Sequence, residues 1–188
     1  MRRQRLAPAG PFSPIRGFQW RLAMAWGGVE LMGNTLFPRK YRSIGKTQWN
    51  PLEVWVNTLA WNKLKKPVKG LERPGNRIAR DFLGESVDQL DFLGLQDGAK
   101  RTALQSWMME GKTLDTPKDA LRLAECFRDL AAHGLLSASR AEKLGIVGMR
   151  KNQIGTRITT KPRNVFSELT AIVGEFAFRT NCLFLNYL

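Results

Sequence analysis

Apolar residues recur along most of the chain at the three- and four-residue spacing of amphipathic helices. From Asn50 to Lys66, Leu52, Trp55, Val56 and Leu59 share one face. Asn50 suits the N-cap, Pro51 the first helical position and Glu53 the positive end of that helix. Lys63, Lys65 and Lys66 suit its negative end, and Pro67 marks the stop. A weaker helix is predicted over 81–95, where Phe82, Leu83, Val87, Leu90 and Leu93 are interrupted by Gly84 and Gly94. The next, 99–110, turns Ala103, Leu104, Trp107 and Met108 inward and ends at Gly111.

The strongest helix start is Thr116-Pro117-Lys118-Asp119, with Thr as N-cap, Pro at the first position and an acid at the third. It opens a helix over 117–133 whose stripe is Ala120, Leu123, Ala124, Phe127, Leu130 and Ala131, with Gly134 after its end. Ser139 and Glu142 read as a capping box for a short helix closing near Gly145. Residues 165–179 predict a further helix, with Val165, Leu169, Ile172, Val173 and Phe176 inward and Glu168, Glu175 and Arg179 in one polar line. The apolar, aromatic tail 182–188 reads as a strand. The fold class is therefore α/β in the α+β sense: a small, mostly helical domain over 99–188 with a short C-terminal sheet, and a long basic N-terminal extension over 1–98 with one or two helices.

Within the extension, the apolar run Phe18 to Phe37 is broken by Arg21, Gly27-Gly28 and Glu30, which argues against a membrane span. A short helix packed on a partner is the expectation there. The preceding residues carry Pro8, Pro11 and Pro14, which oppose a regular helix. Trp49, Trp55 and Trp61 suit a packed core better than base stacking, because Trp55 lies on the apolar face.

Charge changes the picture. The 188 residues hold 30 Lys+Arg against 16 Asp+Glu, a net charge of +14. The excess is local: residues 1–80 carry 16 basic residues and only Glu30, Glu53 and Glu72, whereas 81–148 carry 8 against 11. A block this one-sided calls for an anionic partner, nucleic acid or an acidic membrane surface. Arg2, Arg3, Arg5 and Arg16 lie in an acid-free opening segment. Its composition fits a mitochondrial import signal and also a basic arm lying along phosphates, the reading we favour. The candidate RNA contacts continue through Arg39, Lys40, Arg42 and Lys46, then Lys65, Lys66, Arg73, Arg77 and Arg80, then Lys100 and Arg101. A last group, Arg150, Lys151, Arg157, Lys161 and Arg163, falls in the acid-free run 149–163. Its Thr and Ile content suits an extended, RNA-contacting loop.

Catalytic chemistry has little to build on. His133 is the only histidine and sits at a helix end, where a dipole or surface role suffices. That excludes a His-based zinc site and weakens any triad. Cys126 and Cys182 rule out a disulfide scaffold and read as small core residues. No glycine-rich phosphate loop, CxxC, HExxH or GxSxG occurs. No enzyme activity, cofactor, metal or small-molecule substrate is expected.

The run GKTLDTPKDALRLAECFRDLAAHGLL, residues 111–136, resembles the second helix of the bacterial-type large-subunit ribosomal protein seventeen family. The places that carry it are Thr113, Lys118, Asp119, Leu123, Ala124, Glu125, Phe127, Leu130, Ala131, Gly134 and Leu136. Val165, Phe166, Glu168 and Leu169, then Phe176, Ala177 and Arg179, then the strand-like 182–188, follow the order of a second family motif. The resemblance covers roughly 99–188. It implies a structural constituent of a large ribosomal subunit, lying near the peptide exit side and contacting ribosomal RNA and neighbouring ribosomal proteins. The enlarged N-terminus suits a mitochondrial ribosome. The alternative is a non-catalytic accessory subunit of an inner-membrane respiratory or ATP synthase complex, which the tryptophans, the 18–37 segment and a basic surface would serve.

Overall fold

Thr116 sets the central helix in place. Its hydroxyl accepts from Asp119 N–H at 3.2 Å and donates to the Asp119 carboxylate at 2.7 Å, with Pro117 in the first turn. A computed structural model describes residues 14–36, 51–71, 77–85, 98–154 and 157–185. In chain order these form α1 (Pro14–Leu36), α2 (Pro51–Thr58), α3 (Arg77–Glu85), α4 (Ala99–Met108), α5 (Pro117–Ala132), α6 (Ala138–Lys143), β1 (Val147–Ile154), β2 (Arg157–Asn164) and α7 (Val165–Leu185). The helix that Thr116 caps is α5, and Gly134, at φ +73°, turns the chain out of it.

The architecture is mostly helical with one two-stranded antiparallel sheet, the α+β class expected. α5 packs against α1, α2, α4 and α7. Its predicted stripe is buried except for the half-buried Ala131, and Leu121 and Cys126 beside it are buried too. A helix with neighbours on several sides buries more than one face. Phe127 is the hub. It meets Trp107 of α4 edge-on at 5.5 Å and Phe166 of α7 at 5.6 Å. Further along α7, Phe176 takes Trp55 edge-on at 5.0 Å and stacks with Trp61 at 6.4 Å. Trp55 and Trp61 are therefore core residues; Trp49 lies outside the described residues.

Several boundaries differ from the sequence reading for identifiable reasons. Pro14 does not prevent a helix but opens one, since a proline costs nothing at the first helical position. The resulting α1 is 23 residues long and buries Ile15, Leu22, Trp26 and Val29 in the same core as α4, α5 and α7. Gln19 Nε2 donates to Leu136 O at 2.7 Å, and Arg128 donates to Glu30, so α1 is also tied to α5 and its exit by polar contacts. α2 stops at Thr58 instead of continuing to Lys66. Ala60 adopts the left-handed φ of +49°, and the chain then runs beside 107–115. There Leu64 N–H donates to Asp115 O at 2.8 Å, and Val68 and Leu114 exchange both backbone hydrogen bonds. These non-local bonds outcompete the last helical turns.

α3 begins at Arg77, four residues before the helix predicted over 81–95, because Ala79 and Phe82 already form its buried face. The rest of the helix expected over 81–95 lies outside the described residues beyond Glu85. The cap of α6 is Ser137, two residues before the expected Ser139; its hydroxyl accepts from Arg140 N–H at 3.2 Å. The basic run 149–163 is extended as expected, but as a paired hairpin and not a loop. β1 and β2 run in antiparallel register from Val147↔Asn164 to Ile154↔Arg157. The sheet therefore precedes the last helix. The tail expected to be a strand is helical through Leu185. Its apolar residues continue the helical stripe: Val173 and Phe176 are buried, Ala177 and Leu183 half-buried, and the Thr180 hydroxyl donates to Phe176 O at 2.8 Å. Period 3.6, not period 2, governs the tail. No helix among the described residues is long and apolar enough to cross a membrane.

Candidate nucleic-acid interface

Lysine and apolar residues are sorted by side along 63–71. Leu64, Val68, Gly70 and Leu71 are buried, while Lys63, Lys65, Lys66 and Lys69 are exposed. The segment holds this arrangement because it is stitched to 107–115 by the bonds above and by Leu71 N–H to Trp107 O at 3.1 Å. Gly70 lets the two backbones touch: a Cβ there would lie 2.7 Å from Lys112 O and closer still to the Gly111 backbone.

Arg163 fastens the hairpin to this lysine segment. Only 8% of it is exposed. Its guanidinium donates to Lys69 O and to Gly70 O, the latter at 3.1 Å, and lies 5.4 Å above the Trp107 ring. A planar cation that can donate in several directions and stack on an indole suits this seat; a lysine does not. The base of β2 is thereby held against the backbone of Lys69 and Gly70.

The hairpin sequence carries four further cations, and one pair of them falls at facing positions. Its register sets Arg150 opposite Lys161, Lys151 opposite Thr160 and Arg157 opposite Ile154. Like charges at facing positions disfavour a strand pair. An array of phosphates removes that repulsion. Lys112 is likewise exposed, on the segment paired with 63–71.

The other sequence candidates fall elsewhere. Arg77 and Arg80 are exposed on α3, where Arg77 has a loose 3.9 Å pair with Asp81. Arg16 is exposed on α1. Lys100 is committed internally, 2.5 Å from Glu125 and 3.7 Å from Asp129, and Arg101 is half-buried beside it on α4. Lys100 and Arg163 are therefore both engaged within the fold. Arg2, Arg3, Arg5, Arg39, Lys40, Arg42, Lys46 and Arg73 lie outside the described residues. Sequence reasoning gave Lys63 to a helix end and left Lys69 and Lys112 unassigned. The signal for them was the alternation of Leu64, Lys65, Val68 and Lys69, which suits an extended chain with one buried side.

Buried titratable groups point to packing. Burial pushes the Cys126 thiol well above its usual range, and its Sγ donates to Lys100 O at 3.4 Å. Cys182 is half-buried on α7. Burial also raises the Glu125 carboxyl against the pull of Lys100, and raises Asp129 against Arg128 and Lys100. Among the described residues, no group of three or more His, Cys, Asp or Glu side chains is placed to hold a metal ion. His133 is exposed at the C-terminal cap of α5.

The raised carboxyls have a consequence for pH. Between the ordinary carboxylate value and the raised folded value, the native state keeps a proton that the unfolded chain has released. Stability contributed by Glu125 and Asp129 therefore falls as pH rises through that window. Glu125→Gln removes one of the two titrations, so its unfolding free energy should decline less steeply over the same window in urea titrations at stepped pH. An unchanged slope would show that Glu125 is not held in its protonated form by the fold.

No family model matches the sequence, and neither a curated protein nor a solved structure matches the chain.

Proposed function

We propose that the protein is a non-catalytic, RNA-binding structural constituent of a ribonucleoprotein, namely the large subunit of a mitochondrial ribosome near the peptide exit side. The observation that carries the RNA-binding reading is the Arg163 clamp, which ties the base of a hairpin with a cation-rich sequence to the backbone of a segment bearing four exposed lysines. The work of such a face is charge neutralisation: each cation placed on a phosphate releases a condensed counterion. Recognition of RNA shape and backbone suits such a face. The choice of particle and compartment rests on the family resemblance of 111–136 and 165–179. The helix running through Leu185 removes the start of the strand expected over 182–188 from that resemblance, so the particle is the finer and the RNA face the broader part of the proposal.

The hairpin supplies the test. Replacing Arg150, Lys151, Arg157 and Lys161 together with Gln should weaken binding to structured RNA. The slope of log K against log salt should fall by roughly three, nearly one per lost phosphate contact. Fluorescence anisotropy titrations across a salt series measure both. An unchanged slope would remove the hairpin from the interface.

A further inference from the structure

The core accounts for only one face of α1. Ile15, Leu22, Trp26 and Val29 point inward, yet Trp20, Met24 and Leu31 on the opposite side are 66%, 75% and 69% exposed. With Gly27 these residues step by four, three and four positions, so they form one line along the helix, about 17 Å long at 1.5 Å per residue. Cβ atoms added at Gly27 or Gly28 would meet nothing within 4 Å, so no other part of the described chain covers this line.

Charge selects the occupant. The exposed Arg16 and Arg21 flank the line, and Arg21 lies 5.8 Å above the Phe18 ring. The one acid of α1, Glu30, is engaged by Arg128 and accepts from Trp26 Nε1 at 3.2 Å. What remains outward is an apolar strip containing a tryptophan, bordered by arginines and without an uncompensated anion. Such a strip suits a helix lying flat in the interface of an anionic bilayer: the indole and aliphatic chains enter the acyl boundary and the guanidinium groups reach headgroup phosphates. A net charge of +14 opposes a second copy on the same face and favours an acidic sheet. No helix among the described residues is suited to crossing the membrane, so the contact is a surface one. We infer that α1 docks the protein onto an anionic lipid surface through Trp20, Met24 and Leu31, as a site separate from the basic hairpin.

The full chain should float with phosphatidylcholine vesicles that contain phosphatidylglycerol and much less with phosphatidylcholine alone. The triple variant Trp20→Ser/Met24→Ser/Leu31→Ser should keep its helical circular dichroism and its RNA affinity while its vesicle partitioning drops on the order of a hundredfold. Brominated lipid should quench the wild-type tryptophan emission more than that of Trp20→Phe. Undiminished flotation of the triple variant would show that charge alone binds vesicles and would overturn the inference. So would failure of the wild type to float, or a lipid-free wild-type dimer that the triple variant dissolves, which would assign the face to a second copy.

Discussion

Phe127→Ala is expected to cost about 3–5 kcal/mol of stability, the range for an aromatic side chain removed from a filled site. Phe127 is fully buried, and its ring joins Trp107 of α4 to Phe166 of α7 through the centre of α5. The two ring contacts add to the loss of buried area, because aromatic pairs at these separations are worth about 0.5–1.5 kcal/mol beyond it. Both neighbours are fully buried too, so little can move in to refill the space. At roughly 2–4 °C per kcal/mol for a chain of this size, the melting temperature should fall by about 6–20 °C. Urea unfolding of both proteins measures the difference directly. A loss under about 1 kcal/mol would mean that α4, α5 and α7 do not meet around this ring.

Gly70→Ala is expected to be nearly as damaging, although it adds only one methyl group. The obstacle is backbone: the new Cβ would sit 2.7 Å from Lys112 O and closer to the Gly111 backbone, and neither can rotate away. Relief requires separating 64–71 from 107–115, which breaks the paired hydrogen bonds of Val68 and Leu114 and moves Gly70 O from Arg163. Overpacking with loss of several such bonds places the cost at about 3 kcal/mol. The same change should reduce RNA affinity, since it detaches the lysine segment from the hairpin base. Wild-type stability in this variant, read from thermal unfolding, would contradict the tight crossing.

The helices with local signals were legible. Thr116-Pro117 and Asp119 fixed the start of α5, Gly134 its end, and the spacing of Ala103, Leu104, Trp107 and Met108 described α4 as it stands. The elements that departed are those decided by distant partners. α2 ends early because Leu64 and Val68 find Asp115 and Leu114, about fifty residues away, and no local pattern encodes that pairing. The tail departed for a different reason: a short apolar run fits a strand or a helix equally until its neighbours are known. Among the candidate RNA contacts, the hairpin cations were singled out by composition alone. It did not separate Arg163 and Lys100 from the rest, because a structural arginine and an RNA-binding one look alike until Trp107, Lys69 O and Glu125 are placed beside them. The double-faced character of α1 was present in the sequence as the line Trp20, Met24, Gly27 and Leu31, but Pro14 and the glycine pair obscured the helix that gives the line meaning.

Ultraviolet cross-linking of the protein in its native particle, followed by mapping of the cross-linked peptides, tests the RNA-binding assignment most directly. The account predicts nucleotide adducts concentrated in 63–69 and 149–161, with none on α4 or the buried face of α5. Adducts absent from both basic segments, in a protein that instead sediments with detergent micelles and is unmoved by nuclease, would contradict it.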